Sequence, residues 1–352
     1  MKKKLLYVFL AIGIGTAVAE EPTINWCIVG GTRGIGYADA RNICNDPNAR
    51  CTLFVRPDSE KKAKDLMQDT TTPPTVITGD VTTDLAALTE AAQGASYLVI
   101  AQTFPYTVWA DSYPAMVANC IAAARQVGAT IVHYCRLQRY GMVNPILEDS
   151  IAQPVSDQGT ILDAAAQLLQ SSGVPTIIIN HGTPFGPQAG DGLLDDSLSK
   201  IPFNKGKSWY QAKQKFDWIG TEESAANIRF QFAYLPDLAA FTRQVAATTE
   251  LTSGAPCLTI NFAGITVTNI NEFGQTYCNL ANVPYELNLY SKSTLTTAAF
   301  FKPEAKRGDD SYYAFINEIL LDDTLQKALY PFELTSLETA LQETYNAYAA
   351  AH

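Results

Sequence analysis

The stretch Ile24-Asn-Trp-Cys-Ile-Val-Gly-Gly-Thr-Arg-Gly-Ile-Gly36 decides the fold of this chain. It begins as a short run of apolar and β-prone residues, which is typical of a buried strand. It then passes through a glycine turn and continues as an amphipathic segment from Ile35 to Cys44. Glycine is the usual residue where the backbone must turn tightly. The sequence therefore predicts a strand, a tight turn and a helix in immediate succession.

The same alternation of strands and helices continues as far as Ile179. The predicted strands are Ile24–Val29, Thr52–Val55, Thr75–Thr78, Tyr97–Ala101, Thr130–Tyr134 and Thr176–Asn180. The predicted helices lie near Ile35–Cys44, Glu60–Met67, Asp84–Gln93, Ala115–Val127 and Gly159–Gln170. Strands that alternate with helices form a parallel sheet covered on both faces. We expect an α/β fold of the doubly wound Rossmann type, with ligands bound at the carboxyl ends of the strands.

The glycine turn predicts the site of a dinucleotide. Gly30 permits the tight turn, Gly34 lets backbone amides approach a pyrophosphate, and Gly36 allows the helix to pack closely. Thr32, Arg33 and Ile35 complete the turn, and the start of the helix carries a partial positive charge that favours phosphate. A purely structural glycine turn is the alternative, and the strand and helix on either side disfavour it.

The end of the second strand favours NADP over NAD. An acidic residue there would bind the ribose hydroxyls of NAD, whereas an arginine would meet the 2′-phosphate of NADP. The strand ends in Arg56, and Arg33 in the turn can reach the same phosphate. The alternative is that Arg56 only caps a solvated loop.

Four further residues follow the third and fourth strands. Asp80 and Val81 come after the third strand and are expected near the adenine, and Ala101 and Gln102 end the fourth strand beside the nicotinamide ribose.

Beyond Asn180 the regular alternation breaks. A turn-forming run from Gly182 to Gly192 leads into an aromatic-rich stretch through Trp209, Tyr210, Phe216 and Trp218, which we expect to cover a site. One more strand is predicted at Leu258–Phe262, with helices near Asn271–Leu280, Tyr312–Leu320 and Leu337–Tyr348. The predicted organisation is a cofactor domain over residues 20–180 and a smaller C-terminal substrate lobe over 181–352, interleaved with the sheet.

The first nineteen residues have the parts of a signal peptide. Three lysines precede an apolar run from Leu5 to Val18, and Ala17-Val-Ala19 ends in the small-x-small pattern of a cleavage site. We expect export to a periplasm, the exterior or a secretory lumen; an uncleaved anchor is the alternative. No later segment is apolar enough to span a bilayer.

Charge and cysteine content narrow the expected partners. The net charge of −10 disfavours nucleic acid and anionic membrane surfaces, leaving a small-molecule substrate and, as an open alternative, a second copy of the chain in a homodimer. In an oxidising compartment Cys44 could pair with Cys51, and Cys257 with Cys278. The cysteine spacing matches no zinc site, so no metal is expected.

These motifs resemble the short-chain dehydrogenase/reductase superfamily, in its extended and atypical branches that include epimerases/dehydratases and NmrA-like proteins. The similarity covers residues 24 to about 285. The glycine turn is similar to the TGxxxGxG motif with Val29 in place of threonine, and Tyr140-Gly141 matches the Tyr-Gly after the fifth strand. The segment Asn180–Pro187 looks like the R-P-x-x-x-Y-G-P segment, and Tyr234–Ala239 like the V-x-D-hydrophobic-A stretch.

The catalytic pattern of that superfamily is missing. The resemblance implies Tyr-x-x-x-Lys on the fifth helix, where the lysine lowers the pKa of the tyrosine for proton transfer. In register, Gln158 stands for the tyrosine and Leu162 for the lysine, and no Tyr-x-x-x-Lys occurs elsewhere. The serine or threonine that orients the substrate falls at Cys135 or Arg136, which are therefore the catalytic candidates.

The other polar residues near these strand ends are weaker candidates. We expect His133 and Tyr134 to be packing residues, with His133 on the face of Cys135 and Tyr134 on the opposite face. Tyr106 lies near the same edge, His181 is expected in a loop, and His352 is the terminus.

Three functions are consistent with this pattern. The first is an NADP-dependent atypical reductase or epimerase/dehydratase-like enzyme acting on a small carbonyl or hydroxyl compound. The second is a catalytically silent NADP(H) sensor or scaffold, as the missing tyrosine and lysine suggest. The third is a Rossmann scaffold adapted to another ligand.

Overall fold

The computed structural model describes residues 23–190, 193–200, 215–248 and 257–350. The predicted signal segment and cleavage site, together with Trp209, Tyr210 and His352, lie outside the described residues. Across the described ranges, no helix is both long enough and apolar enough to cross a membrane.

Twelve strands and fourteen α-helices are found in these residues. The strands are β1 (Ile24–Val29), β2 (Ala49–Val55), β3 (Thr75–Thr78), β4 (Tyr97–Ile100), β5 (Thr130–Arg136), β6 (Thr176–His181), β7 (Thr183–Phe185), β8 (Phe216–Ile219), β9 (Phe230–Tyr234), β10 (Cys257–Phe262), β11 (Ile265–Val267) and β12 (Leu287–Tyr290). The helices are α1 (Gly34–Cys44), α2 (Glu60–Met67), α3 (Leu85–Ala91), α4 (Trp109–Val127), α5 (Asp157–Ser171), α6 (Leu193–Lys200), α7 (Glu222–Asn227), α8 (Leu235–Thr248), α9 (Ile270–Leu280), α10 (Lys292–Phe301), α11 (Lys306–Ser311), α12 (Tyr313–Ile316), α13 (Thr324–Leu329) and α14 (Leu337–Ala350).

A seven-stranded parallel sheet forms the centre of the molecule. Its order is β3-β2-β1-β4-β5-β6-β10, so the chain moves outward in one direction from β1 and then returns to build the other half from β4. This reversal is the arrangement that opens a crevice at the carboxyl ends of the strands. The predicted α/β doubly wound Rossmann fold is therefore confirmed. The six predicted strands are all present.

Helices cover both faces of the sheet, and each strand alternates between them. On β1, Cys27 and Val29 pack with α3, α4 and α5, whereas Trp26 and Ile28 pack with α1, α2 and α8. On β5, Cys135 faces the first layer and Tyr134 the second, as strand alternation predicts. The predicted orientation of these two residues is confirmed.

The C-terminal part of the chain forms a lobe with its own aromatic core. It has a three-stranded sheet in the order β11-β9-β7 and a pair formed by β8 and β12. Phe216 and Trp218 were expected in a loop that covers a site. They lie instead on β8, fully buried against Phe232 and Phe273. The prediction was wrong because these two aromatic side chains pack into the core of the lobe, and their burial favours a strand over the loop that was expected from the polar stretch around them. The strand β10 returns from the lobe to pair with β6.

The predicted helix at Tyr312–Leu320 is also wrong. Within the segment only α12, Tyr313–Ile316, is helical, and the chain becomes extended at Asn317, which has φ −129°. The backbone amides that follow are bound by side-chain amide oxygens from distant parts of the chain. Leu320 N donates to Asn144 Oδ1 at 3.1 Å, and Leu321 N donates to Gln231 Oε1 at 2.7 Å. Tertiary hydrogen bonds thus override the local helical pattern.

All seven cysteines are free thiols in the structure. Cys44, at the end of α1, and Cys51, on β2, are hydrogen-bonded to each other, so the first predicted pair is adjacent. Cys257 packs against the core of the main sheet and Cys278 lies in the aromatic core of the lobe, so the second predicted pair is in two different cores.

A buried carboxyl group lies between α1 and the sheet. The Tyr134 hydroxyl donates to Asp39 at 2.8 Å and is also 2.8 Å from Thr242 Oγ1 on α8. Burial raises the pKa of Asp39 to about 7, and the hydrogen bond from Tyr134 only partly opposes this. Between about pH 4 and 7 the folded protein therefore holds a proton that the unfolded chain has lost, so this carboxyl makes stability fall as pH rises through that window.

We expect Asp39→Asn to remove this pH dependence, because an amide stays neutral and can still accept from Tyr134. The free energy of urea unfolding of the variant, minus that of the wild type, should rise by about 2–3 kcal/mol between pH 5 and pH 8. His133 and His181 have lowered pKa values and act in the opposite direction in both proteins, so the difference isolates Asp39. A difference that does not vary with pH would contradict the assignment.

Candidate cofactor-binding cleft

A cleft opens at the carboxyl edge of the main sheet, where β1 separates β2 from β4. The residues that line it come from the glycine turn, the ends of β2, β4 and β5, and the segment after β6. They are Gly30, Gly31, Thr32, Arg33, Gly34, Ile35, Val55, Arg56, Ser59, Ala101, Gln102, Thr103, Pro105, Arg136, Pro184 and Ala189. The structure thus brings most of the predicted cofactor residues together in one place.

The glycine turn requires its glycines for close packing. Gly30 has φ +111°, and its amide donates to the carbonyl of Phe54 on β2 at 2.9 Å. A Cβ at Gly36 would lie 2.8 Å from Gly31 N and 3.0 Å from Ala101 Cβ. Gly36 does not line the cleft itself; it lets α1 begin directly against the end of β4.

The segment Gly186–Gly190 lies across the start of α1. The amide of Gly34, expected to face a pyrophosphate, donates instead to the carbonyl of Gln188 at 2.7 Å. The Arg33 guanidinium donates to the carbonyl of Gly190 at 3.2 Å. The first amides of a helix have no intrahelical acceptor, and of the next two residues Ile35 lines the cleft whereas Gly36 does not. This segment was predicted as a turn-forming loop, but nothing in the sequence predicted that it would hydrogen-bond to the first residues of α1.

Positive charge dominates the cleft. Arg33, Arg56 and Arg136 line it, and none of the described residues that line it is acidic. Arg56 follows β2, with its Nε 3.6 Å from Asp58 Oδ1 and more than half of its side chain exposed. In a chain of net charge −10, the lining of the cleft is thus locally cationic.

The two residues predicted near the adenine lie outside this lining. One oxygen of Asp80 accepts from the amide and hydroxyl of Thr82, at 2.8 and 2.7 Å, and these bonds lower the pKa of Asp80. Val81 is buried in the core beside α3 and α4. Ala101 and Gln102 do line the cleft, where Gln102 Nε2 donates to the carbonyl of Thr103 at 2.9 Å.

The positions of the missing tyrosine and lysine are closed. Gln158 is 1% exposed, and its Oε1 accepts from the hydroxyl of Ser311 at 2.6 Å. Leu162 is fully buried in the main core. Lys306 from the lobe lies over the start of α5, with its Nζ 2.6 Å from Asp157 Oδ2. The side chains at these two positions therefore contribute no acid or base to the cleft.

The two catalytic candidates on β5 have different surroundings. Arg136 is partly exposed and lines the cleft, whereas Cys135 is completely buried and does not. Burial raises the pKa of Cys135 to about 11, although the charge of Arg139 opposes the shift. A buried, protonated thiol is a poor nucleophile.

The remaining candidates are held by packing or by other side chains. His133 is buried against Tyr113, and burial lowers its pKa to about 4. His181, expected in a loop, ends β6 and is buried, with Nδ1 2.7 Å from the carbonyl of Gly182. The Tyr106 hydroxyl donates to Asp310.

Sequence reasoning missed several lining residues that carry no motif. Ser59, Thr103, Pro105, Pro184 and Ala189 line the cleft, and only their position after a strand or in the segment after β6 could have indicated it. Within the described ranges, no three His, Cys, Asp or Glu residues are grouped so that they could hold a metal ion.

Solved structures share this fold along nearly the whole chain. The enzyme WbmH of Bordetella bronchiseptica, in complex with NAD⁺, has a TM-score of 0.69 at 16% identity and covers 93% of this chain and 98% of its own. UDP-glucuronic acid 4-epimerase of Bacillus cereus, in complex with NAD, has a TM-score of 0.69 at 14% identity, covering 93% and 99%. UDP-glucose-4-epimerase of Stenotrophomonas maltophila, with bound NAD, has a TM-score of 0.71 at 13% identity, covering 93% and 98%.

This chain has the fold of NAD-dependent epimerases and dehydratases. The predicted resemblance to extended short-chain dehydrogenases/reductases is confirmed at the level of the fold. No family model matches the sequence, and no curated protein is similar to it. Since a fold hosts many reactions, identities this low do not transfer an activity.

We expect Cys135 to resist alkylation in the folded protein. With its pKa raised to about 11 by burial, roughly one thiol in a thousand is ionised at pH 8, and none is exposed. Iodoacetamide labelling followed by peptide mass spectrometry should label Cys135 only in urea. Cys257, with a similar pKa but partly exposed, is the matched comparison and should react faster in the native state. Equal labelling of Cys135 in native and unfolded protein would show that the thiol is accessible and reactive in the folded state, and Cys135 would again be a candidate nucleophile.

Proposed function

We propose that the protein binds NADP(H) in this cleft and acts as an atypical reductase or epimerase/dehydratase-like enzyme on a small carbonyl or hydroxyl compound. The observation that carries the proposal is the charge of the cleft: three guanidinium groups, and no carboxylate among the described lining residues, around a strand, glycine turn and helix. This donor set fits a ligand with several phosphates.

The arginines support NADP rather than NAD. A carboxylate at the end of β2 would bind ribose hydroxyls and repel a 2′-phosphate, but the cleft has Arg56 at that place. Arg33 is on the same side of the cleft, and an arginine can form two parallel hydrogen bonds with a phosphate. The solved structures named above contain NAD, which supports a nicotinamide dinucleotide as the class of ligand.

The residues that line the cleft would hold the cofactor, but the side chains at the positions of the tyrosine and lysine cannot donate or accept a proton there. Gly30 and Gly36 keep the turn close to β4, Ile35 would offer its amide to phosphate, and Gln102 would lie toward the nicotinamide. The cofactor, when bound, supplies or accepts a hydride. With Gln158 buried in place of the tyrosine, reduction of an activated double bond fits better than alcohol oxidation.

A second candidate is a catalytically silent NADP(H)-binding sensor or scaffold. Gln158 and Leu162 favour it, because both are buried and neither can transfer a proton to a ligand in the cleft. Both candidates require dinucleotide binding, so binding is tested first. Turnover then separates them: oxidation of NADPH with any member of a panel of small carbonyl compounds, including ones that have a carbon–carbon double bond conjugated to the carbonyl, identifies an enzyme.

We expect Arg56→Ala to weaken NADPH binding ten- to a hundredfold and to leave NADH binding nearly unchanged. The reason is that loss of a charge-assisted hydrogen bond to phosphate costs about 1.5–3 kcal/mol. The measurement is titration of each nucleotide into the purified protein, followed by nicotinamide fluorescence.

Lys62→Ala is the matched control, since Lys62 is exposed on α2 and does not line the cleft. It removes the same charge from the neighbouring helix and should change NADPH binding less than threefold. If both variants lose the same NADPH affinity, the effect of Arg56 comes from its charge alone and not from a direct contact with the 2′-phosphate. Failure of the wild type to bind either nucleotide would reject both candidates.

A further inference from the structure

A short hydrogen-bonded turn brings Cys44 and Cys51 together. Cys44 is the last residue of α1, Cys51 is on β2, and six residues lie between them. Within this turn, the amide of Asp46 donates to the carbonyl of Ile43 at 3.0 Å, and the amide of Ala49 donates to the carbonyl of Asp46 at 3.2 Å. The chain therefore returns at once to the sheet, and both thiols are buried in the core between the sheet and α1, α2 and α8.

The two thiols are hydrogen-bonded to each other and differ in their tendency to ionise. The hydrogen bond with Cys51 lowers the pKa of Cys44; burial opposes this shift, and the positive charge of Arg41 on the same helix supports it. The same hydrogen bond, together with burial, raises the pKa of Cys51 well above its usual range. Because the thiolate is the form that attacks a disulfide, Cys44 is the sulfur of this pair that reacts first.

The other cysteines do not share this arrangement. All seven lie in the described ranges, and only Cys44 has a lowered pKa. Cys27 is on the strand next to β2 but faces the opposite core, so the sheet separates it from Cys51. Cys27 shares that core with Cys120, where burial raises the pKa of both thiols, that of Cys27 to about 12. Cys27 and Cys120 are therefore a comparison pair of protonated, buried thiols within the same molecule.

We propose that Cys44 and Cys51 are a thiol–disulfide site, in which Cys44 attacks one sulfur of a small disulfide such as oxidised glutathione and Cys51 then attacks Cys44. The first step forms a mixed disulfide and releases one thiol of the small molecule. The second step forms the bond between Cys44 and Cys51 and releases the other thiol. The protein loses two electrons and two protons, and the small disulfide gains them. This inference goes beyond the proposed function and does not depend on it.

The position of the pair allows access without disturbing the cleft. Asn45, Pro47 and Asn48 are exposed beside Cys44, so a local opening of the turn lets a small disulfide reach it. Since α1 has 11 residues, Cys44 is about 15 Å from the glycine turn, at the opposite edge of the sheet. The bond would therefore join the end of α1 to the start of β2 and leave the lining of the cleft unchanged.

Oxidation of the whole chain in glutathione buffers tests the proposal. The reduced protein is equilibrated with increasing ratios of oxidised to reduced glutathione and transferred into urea that contains N-ethylmaleimide, and unreduced tryptic peptides are mapped by mass spectrometry. Trypsin cuts after Arg41 and Arg50, so a bond between Cys44 and Cys51 appears as two joined peptides. We expect this bond at a ratio at least tenfold lower than any that oxidises Cys27 or Cys120. Maleimide on both Cys44 and Cys51 at every ratio, or oxidation of both pairs at the same ratio, overturns the proposal.

The same titration in urea tests whether the folded structure favours the bond. In the unfolded chain only the short link keeps the two sulfurs near each other, whereas the fold adds the hydrogen-bonded turn and the shared core. The equilibrium constant for forming the bond should therefore be at least tenfold larger in the native protein than in urea. By linkage, oxidation then stabilises the folded protein by the same factor. An equal or smaller constant in the native protein would mean that the fold holds the sulfurs apart, and it overturns the proposal.

Single variants assign the order of attack. In Cys51→Ala the second step is lost, so Cys44 should retain glutathione as a mixed disulfide. In Cys44→Ala, Cys51 should stay a free thiol, because burial keeps it protonated. Cys120→Ala is the matched control, since it removes a buried thiol from the other core and should leave the bond between Cys44 and Cys51 intact. A glutathione adduct on Cys51 instead of Cys44, or on neither, overturns Cys44 as the attacking sulfur, and loss of the bond in Cys120→Ala overturns its assignment to this pair.

Discussion

The close approach of α1 to the end of β4 is the constraint on which the cleft depends. Gly36 leaves no room for a methyl group, because its Cβ would lie 2.8 Å from Gly31 N and 3.0 Å from Ala101 Cβ. The helix can therefore begin immediately after the glycine turn, at the crevice where the strand order reverses. Arg33, in the turn, and Arg56, after the neighbouring strand, then fall on the same side of that crevice.

The charge of the cleft differs in sign from the net charge of the chain. The chain as a whole is acidic, so a freely diffusing anion is repelled by most of its surface. The cleft is the exception, since its described lining contains three guanidinium groups and no acidic residue. The net charge of the whole sequence therefore does not predict the sign of the charge in the cleft. The prediction of NADP came from individual arginines at the turn and at the strand end, which net charge does not reveal.

Local periodicity predicted the main sheet well because its strands and helices are decided by nearby residues. The strand Ile24–Val29 and the helix Glu60–Met67 have the predicted limits, since an apolar run and an amphipathic period each specify one element. The lobe is different. Phe216 and Trp218 became a buried strand through contacts with Phe232 and Phe273, and the helix expected beyond Tyr312 was broken by amides of Asn144 and Gln231. Such partners are distant in sequence, and no local pattern encodes them.

The same limit explains what the sequence could say about chemistry. The resemblance put Gln158 and Leu162 in register with the usual tyrosine and lysine, and it left Cys135 and Arg136 as equal candidates for the position of the serine or threonine. Strand alternation and burial distinguish the two residues, because successive side chains on β5 face opposite layers. Cys135 is buried in the core, and only Arg136 lines the cleft. The fold therefore combines a glycine turn and a close helix start with a cleft that takes Arg136, but not Cys135, from the end of β5. Because Gln158 and Leu162 are both buried, any chemistry that the cleft performs must need no side-chain acid from these two positions.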